Sequence, residues 1–152
     1  MFASQNARVI KASREVIYNA FTNPQALEKW FAPGEMTGKI HAFDLRPGGG
    51  YQMSLFYPQS EKAARGKTNA REDRYFARFV ELKPFEKIVQ AINFDSSDEQ
   101  FAGEMIMEVI LEPKGAGTNV IIRFANIPSG IKPEDNEAGT KLTLEKLARY
   151  IE

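Results

Sequence analysis

The chain opens on a basic segment with an apolar pair, Val9-Ile10, and Ala7 to Ala12 reads as a short first strand. Ser13 follows as an N-cap, its hydroxyl placed to satisfy an orphan backbone N–H. Behind it Val16, Ile17, Ala20 and Phe21 recur at helical spacing. Asn23-Pro24 repeats the signal, with an Asn cap and a proline at the first helical position, where a missing N–H costs nothing. Ala26, Leu27, Trp30 and Phe31 give this second short helix its apolar face, and Pro33-Gly34 ends it. From there the period shortens from about 3.6 residues to about 2. Lys39 to Leu45 reads as a strand, and Arg46 to Gly50, with three glycines in a row, as a turn or bulge. The strand beginning at Tyr51 sets Tyr51, Met53, Leu55 and Tyr57 on one side, with Gln52 and Ser54 on the other. Pro58 to Asp73 is polar and aperiodic and reads as a long hairpin loop. Arg74 to Leu82 and Glu86 to Phe94 are strands joined across Lys83-Pro84-Phe85, and Asp95 to Gln100 is a loop. Glu104 to Glu112 and Asn119 to Phe124 form a last hairpin, turning over Pro113 to Gly117.

The closing segment is a long helix. Pro133 stands in its first turn, with Glu134 and Asp135 where carboxylates complement the helix dipole. Thr140, Leu144, Leu147, Ala148 and Ile151 share one face, while Leu142 points away from it, free to cover another surface or a partner. The order is strand, two helices, six strands, helix. Consecutive strands linked by tight turns favour an antiparallel meander, which curls. The long helix must bury its stripe on the concave side. The expected fold is therefore α+β, a curved antiparallel sheet of six or seven strands around the C-terminal helix. One helix does not fill such a sheet. The remaining space is either an apolar cavity or solid core, for which large side chains such as the 11 phenylalanines are available. In the fourth and sixth strands both faces are partly apolar, so alternation leaves the concave face of each open.

Composition narrows this little. The 152 residues suit a single domain, 1–152. Lys+Arg and Asp+Glu both number 20, so net charge gives no general pull towards nucleic acid or an anionic membrane. There is no cysteine, which fits a reducing compartment. The opening MFASQNARVIKAS lacks the apolar core of a signal peptide, and no stretch has the length of a membrane span. The expected location is the cytoplasm.

Candidate chemistry is sparse. With His41 the one histidine and no cysteine, a His/Cys zinc site is excluded, and no other spacing suggests a metal or cofactor. His41 lies in a strand with no evident nucleophile, and a structural or surface role is expected. Glu104 and Glu108 share a strand face roughly 13–14 Å apart, too far for a glycosidase dyad. They are expected to face outward into solvent. The glycine run lacks a phosphate-loop pattern and precedes a strand, where a phosphate loop opens a helix. Lys62, Arg65, Lys67, Arg71 and Arg74 give the long loop a modest positive excess.

Taken in order, several segments resemble one family. RVIKASREVIYNAFTNPQALEKWFAP is similar to the start of the START-like, or SRPBCC, superfamily, in the branch related to the ATPase activator of the large heat-shock chaperone. FDLRPGGGY resembles its Asp-x-Arg-Pro-Gly-Gly turn, on Asp44, Arg46, Pro47, Gly48 and Gly49. ARFVELKPFEKIV and MEVILEPKGAGTNVIIRF are similar to its later strand pairs, and AGTKLTLEKLARYIE matches the spacing of Gly139, Leu144 and Leu147. The resemblance spans nearly the whole chain and corresponds to the C-terminal-type domain of that activator, without its N-terminal region. It implies a helix-grip fold with an internal cavity and a non-catalytic role, binding a small hydrophobic or amphipathic ligand. The alternatives are a chaperone-cofactor-like role with a protein partner, through the charged loop and Leu142, and, more weakly, an enzyme acting on a polyketide or aromatic compound. The third would need an acid or base such as His41, Tyr51 or Glu108 inside the cavity. Trp30, Tyr51, Met53, Leu55, Phe79, Ile92 and Leu144 are the candidates to line the cavity, with Tyr51, Gln52, Gln90 or Arg78 as polar fixers. Many relatives carry Trp where this chain has Thr140, and an aromatic near Ile92. Both positions are expected to face the cavity, and smaller residues there imply a roomier or differently shaped space.

Overall fold

The computed structural model describes residues 3–58 and 72–152. The charged loop is therefore described only at its ends, and Lys62, Arg65, Lys67 and Arg71 lie outside the described residues. The elements run β1 (Ser4–Ile10), α1 (Arg14–Thr22), α2 (Pro24–Trp30), β2 (Thr37–Asp44), β3 (Gly50–Phe56), β4 (Glu72–Lys83), β5 (Lys87–Phe94), β6 (Met105–Lys114), β7 (Gly117–Ala125) and α3 (Pro133–Ile151). A 3-10 turn, Glu99–Phe101, lies between β5 and β6. The caps are those the sequence offers. Ser13 Oγ accepts from Val16 N–H at 3.3 Å, and Asn23 Oδ1 from Ala26 N–H at 3.0 Å.

The seven strands form one antiparallel sheet in the order β1-β7-β6-β5-β4-β3-β2. β1 starts earlier than its apolar pair indicates, because Ser4 to Ile10 all pair with β7. β4 likewise starts at Glu72, inside the segment expected to be loop. Glu72 and Asp73 extend the ladder opposite Phe56 and Leu55. Polar residues hold this strand end because their carboxylates are satisfied: Glu72 by Ser54 and Arg74, Asp73 by the Tyr57 hydroxyl. The last turn is also tighter than expected, since Lys114 pairs directly with Gly117. Register shifts between Ile40 and Ala42, and between Phe79 and Glu81, mark bulges that deepen the curl.

The inward face of each strand is now fixed. In β4 it carries Tyr75, Ala77 and Phe79, with Phe76 and Val80 exposed on the other side; in β6 it carries Met105, Met107, Val109 and Leu111. All three helices lie on that face. Ile17 and Phe21 of α1, Leu27 and Trp30 of α2, and Leu144 and Leu147 of α3 are almost completely buried against Ile10, Met53, Phe79, Ile88 and Ile122. Each such side chain contributes about 1.5–3 kcal/mol by leaving water. Trp30 also donates its indole N–H to the Ala20 carbonyl at 3.0 Å and sits edge-on to Phe21, which locks α1 to α2.

Candidate functional site

The sheet and α3 do not meet along their whole length. Between them lies a cavity of about 680 Å³. Its floor follows the sheet diagonally. Leu55 faces Asp73 across the ladder, Tyr75 faces Phe94, Ile92 faces Met105, and Met107 faces Phe124. All eight line the cavity, with Ile122 beside them. The roof is one face of α3, with Asn136, Gly139, Thr140, Leu142 and Thr143, and the α2–β2 connection with Phe31, Pro33, Gly34, Glu35 and Met36. Buried Tyr75, Ile92, Met105 and Met107 mark the deep end, while Glu35, Lys132, Asp135 and Leu142 are exposed at the mouth.

Phe31, Tyr75, Phe94 and Phe101 run along one side as an arc, successive ring centroids 6.4, 6.4 and 6.5 Å apart. Polar groups interrupt this wall, and two of them, Asp73 and Thr140, are themselves buried. The Tyr57 hydroxyl donates to Asp73 Oδ2 at 2.9 Å. Asn136 Oδ1 accepts from Ser4 Oγ at 2.5 Å, which orients its amide N–H group as the donor still to be used. Thr140 donates to its own helix, to Asn136 O at 2.8 Å, so its hydroxyl oxygen can only accept from anything in the cavity.

Of the nine residues expected in the cavity, Leu55, Ile92 and Thr140 line it. Trp30, Tyr51, Met53, Phe79, Gln90 and Leu144 do not; they lie further along the concave face, in packed core beneath α1, α2 and the middle of α3. The physical reason is the diagonal. Strand alternation says which face a side chain takes, but α1 and α2 fill one end of that face and leave the other open. Phe94, Met105, Met107, Ile122 and Phe124 were missed, although the same alternation places them inward. Only the register across strands shows that they continue the band from Leu55. Leu142 turns to the cavity mouth, close to Gly34, rather than to a separate surface.

The acid–base candidates fall elsewhere. His41 is exposed on the outer face, its Nε2 2.8 Å from Ser54 Oγ. Ser54 itself donates to Glu72, so its oxygen is left to accept, from His41 and from Arg74 Nε at 3.3 Å, and His41, Ser54 and Glu72 all lie outside the cavity lining. Glu108 pairs on the outer face with Lys87 at 3.3 Å and Arg123 at 3.6 Å, and its hydrogen bond to Lys87 raises that ammonium's pKa. Glu104 pairs with Arg78 at 3.4 Å. Tyr51 is in the core, where burial pushes its phenol up to about 12 against an ordinary 10.0, although bonds to Tyr75 and Gln90 act the other way. Such a phenol does not exchange protons near neutrality.

A curved seven-stranded antiparallel sheet gripping a long C-terminal helix over a cavity is the START-like, or SRPBCC, helix-grip architecture. Within it, residues 11–152 match the family described as Activator of Hsp90 ATPase homolog 1-like protein, and the chain belongs to that family. A crystal structure of a protein from Chromobacterium violaceum is 31% identical, over 97% of this chain and 94% of that one, with a TM-score of 0.85. A solution structure from Arthrobacter aurescens is similar in fold at 16% identity, covering 97% of this chain and 84% of the other, TM-score 0.77. CalU16 from Micromonospora echinospora shares the fold at 17% identity, with 97% and 74% covered and a TM-score of 0.65. No curated protein matches the chain. Among the described residues no helix is long and apolar enough to cross a membrane.

Proposed function

We propose that this domain binds a small amphipathic molecule in the cavity between the sheet and α3, as a carrier or sensor rather than a catalyst. The observation that supports it is the lining of that space: methionine, isoleucine and aromatic side chains make most of the wall, with a few polar groups set into it, buried Asp73, Thr140 and Thr143 and, exposed at the mouth, Glu35, Lys132 and Asp135. Cavities of roughly 300–1,000 Å³ lined this way are typical of small-molecule sites. An apolar body would sit over Met105, Met107 and Ile92. A polar head would meet Asn136, Thr140 or the Tyr57–Asp73 pair. Leu55, Ile92 and Thr140 belong to this proposal as contact residues. His41, Tyr51 and Glu108, named above as examples of an acid or base for an enzymatic role, lie outside the cavity, and the carboxylate buried in its wall, Asp73, is engaged by the Tyr57 hydroxyl.

The test is native mass spectrometry of the protein purified from its own source, alongside Thr140→Trp, which places an indole into the space from α3. A stoichiometric hydrophobic adduct, present in the parent and lost in Thr140→Trp, supports the binding role and gives the cargo's mass. An adduct retained in full by Thr140→Trp would place its site elsewhere. Protein free of adduct that also takes up nothing from a lipid and aromatic library would count against ligand binding and favour a protein-partner role.

A further inference from the structure

We propose that the segment Phe31–Met36 is a hinged wall of the cavity and that Lys146 of α3 is the latch that holds it closed. The proposal concerns access to the cavity and rests on reading that cavity as a binding site. The segment joins α2 to β2 and belongs to neither, yet Phe31, Pro33, Gly34, Glu35 and Met36 all line the cavity. Its internal support is one turn bond, Met36 N–H to Pro33 O at 3.1 Å. At its start, Phe31 N–H donates to Leu27 O at 3.0 Å and the Phe31 ring packs on Trp30 and Tyr75, with Ala32 buried; from Pro33 onward the side-chain bonds that hold the segment come from α3. Lys146 Nζ donates to Ala32 O at 2.7 Å and to Met36 O at 3.0 Å, so one ammonium clamps both ends of the connection. Thr143 Oγ1 adds a weaker contact, its single proton shared between Phe31 O at 3.2 Å and Gly139 O at 3.1 Å.

A lysine near a surface ordinarily extends its ammonium into water. This one is folded back and half-buried instead, and desolvation, with Arg149 nearby, lowers its pKa. Charge-assisted bonds to two carbonyls are what offset that cost. The hinge and the seam are also visible. Gly34 has φ +60, a left-handed conformation that other residues rarely take, and a Cβ built there would lie 3.7 Å from Leu142 Cδ1. Leu142 is 44% exposed, at the mouth. Releasing the latch lets the segment pivot at Gly34 and part from Leu142, which widens the entrance without breaking any strand pairing.

Hydrogen exchange on the ligand-free protein tests this directly. In Lys146→Met, which keeps the length and removes the donor, backbone amides within 32–36 are expected to exchange about tenfold faster, with β6 and β7 unchanged. Thr143→Val should give a smaller acceleration of the same amides. Stopped-flow binding of 1-anilinonaphthalene-8-sulfonate gives the second readout. Association and dissociation should both quicken about tenfold in Lys146→Met, with affinity altered less than about threefold. Unchanged exchange at 32–36 in Lys146→Met overturns the latch. So does acceleration spread evenly through β6 and β7 in both variants, because Lys146 and Thr143 would then be supports of the whole fold. A parent that binds no dye weakens the reading of the cavity as a binding site, while the exchange data still decide the latch.

Discussion

Tyr51 shows how much of a residue's role its surroundings decide. In sequence it is an inward-facing aromatic with a polar tip, suited to fixing a ligand. In the structure its hydroxyl points into a closed group with Tyr75 at 3.3 Å and Gln90 at 3.4 Å, and Tyr75 bonds on to Met53 Sδ at 3.3 Å. These bonds are long, so Tyr51→Phe should cost less than about 1 kcal/mol at pH 7. Alkaline pH is different. Burial raises the Tyr51 pKa from 10.0 to about 12, and burial with the Tyr51 phenol beside it raises that of Tyr75 well above its ordinary value. The folded state thus disfavours phenolate, so its stability is intact below the unfolded pKa and is lost as pH rises towards 12. A shift of this size corresponds to about 2–3 kcal/mol for Tyr51. Urea unfolding at pH 7 and between pH 10 and 11.5 should show a shallower alkaline loss in Tyr51→Phe than in the parent. Parallel curves would mean that the phenol reaches water in the folded protein.

Among the elements, the turn from Arg46 to Gly50 is the clearest link between a short motif and sheet geometry. Gly48 N–H donates to Phe79 O at 2.8 Å, and Phe79 N–H to Gly49 O at 2.9 Å, which ties the turn to β4 at its bulge. The backbones come so close that a Cβ on Gly50 would lie 1.9 Å from the Ala77 carbonyl oxygen. Backbone cannot yield as a side chain does, so Gly50→Ala should destabilise by about 2–4 kcal/mol and disturb the β3–β4 register. A loss below about 1 kcal/mol in urea unfolding would show that the strands separate freely there. The order and type of the strands and α-helices were legible, though not the 3-10 turn at Glu99–Phe101, because each signal was local: Ser13 and Asn23 as caps, Pro24 at a first helical position, Tyr51-Met53-Leu55 in alternation. The exceptions needed a partner strand. Ser4 to Asn6 carry no strand signal of their own and extend only along β7, and Glu72-Asp73 read as loop until Ser54, Arg74 and Tyr57 satisfy them.

At the scale of the molecule, the cavity exists because α1 and α2 fill one end of the concave face and α3 spans the rest. The sequence could indicate that such a space was available, but not where along the strands it begins. That boundary depends on strand tilt and register, to which no single residue testifies; hence Met53 is core and Leu55, two residues on, is wall. Thr140 and Ile92 are the informative exceptions, since the family resemblance carries tertiary position that alternation lacks. They also expose a trade-off. A protein selected for stability alone would fill a space of about 680 Å³, because each uncontacted wall atom forfeits dispersion and burial energy. Thr140→Trp should therefore raise the Tm of ligand-free protein by about 2–6 °C. The indole would cover apolar wall, and the lost hydroxyl bonds only to a carbonyl of its own helix, Asn136 O. The same substitution should abolish the stabilisation that a bound hydrophobic molecule gives the parent through linkage. Calorimetry with and without ligand separates the outcomes. A higher baseline with no ligand response means that the space is kept open at a cost in stability, as a binding site requires. A lower Tm would mean that α3 and the sheet already fit each other closely, with no room for cargo beside Thr140.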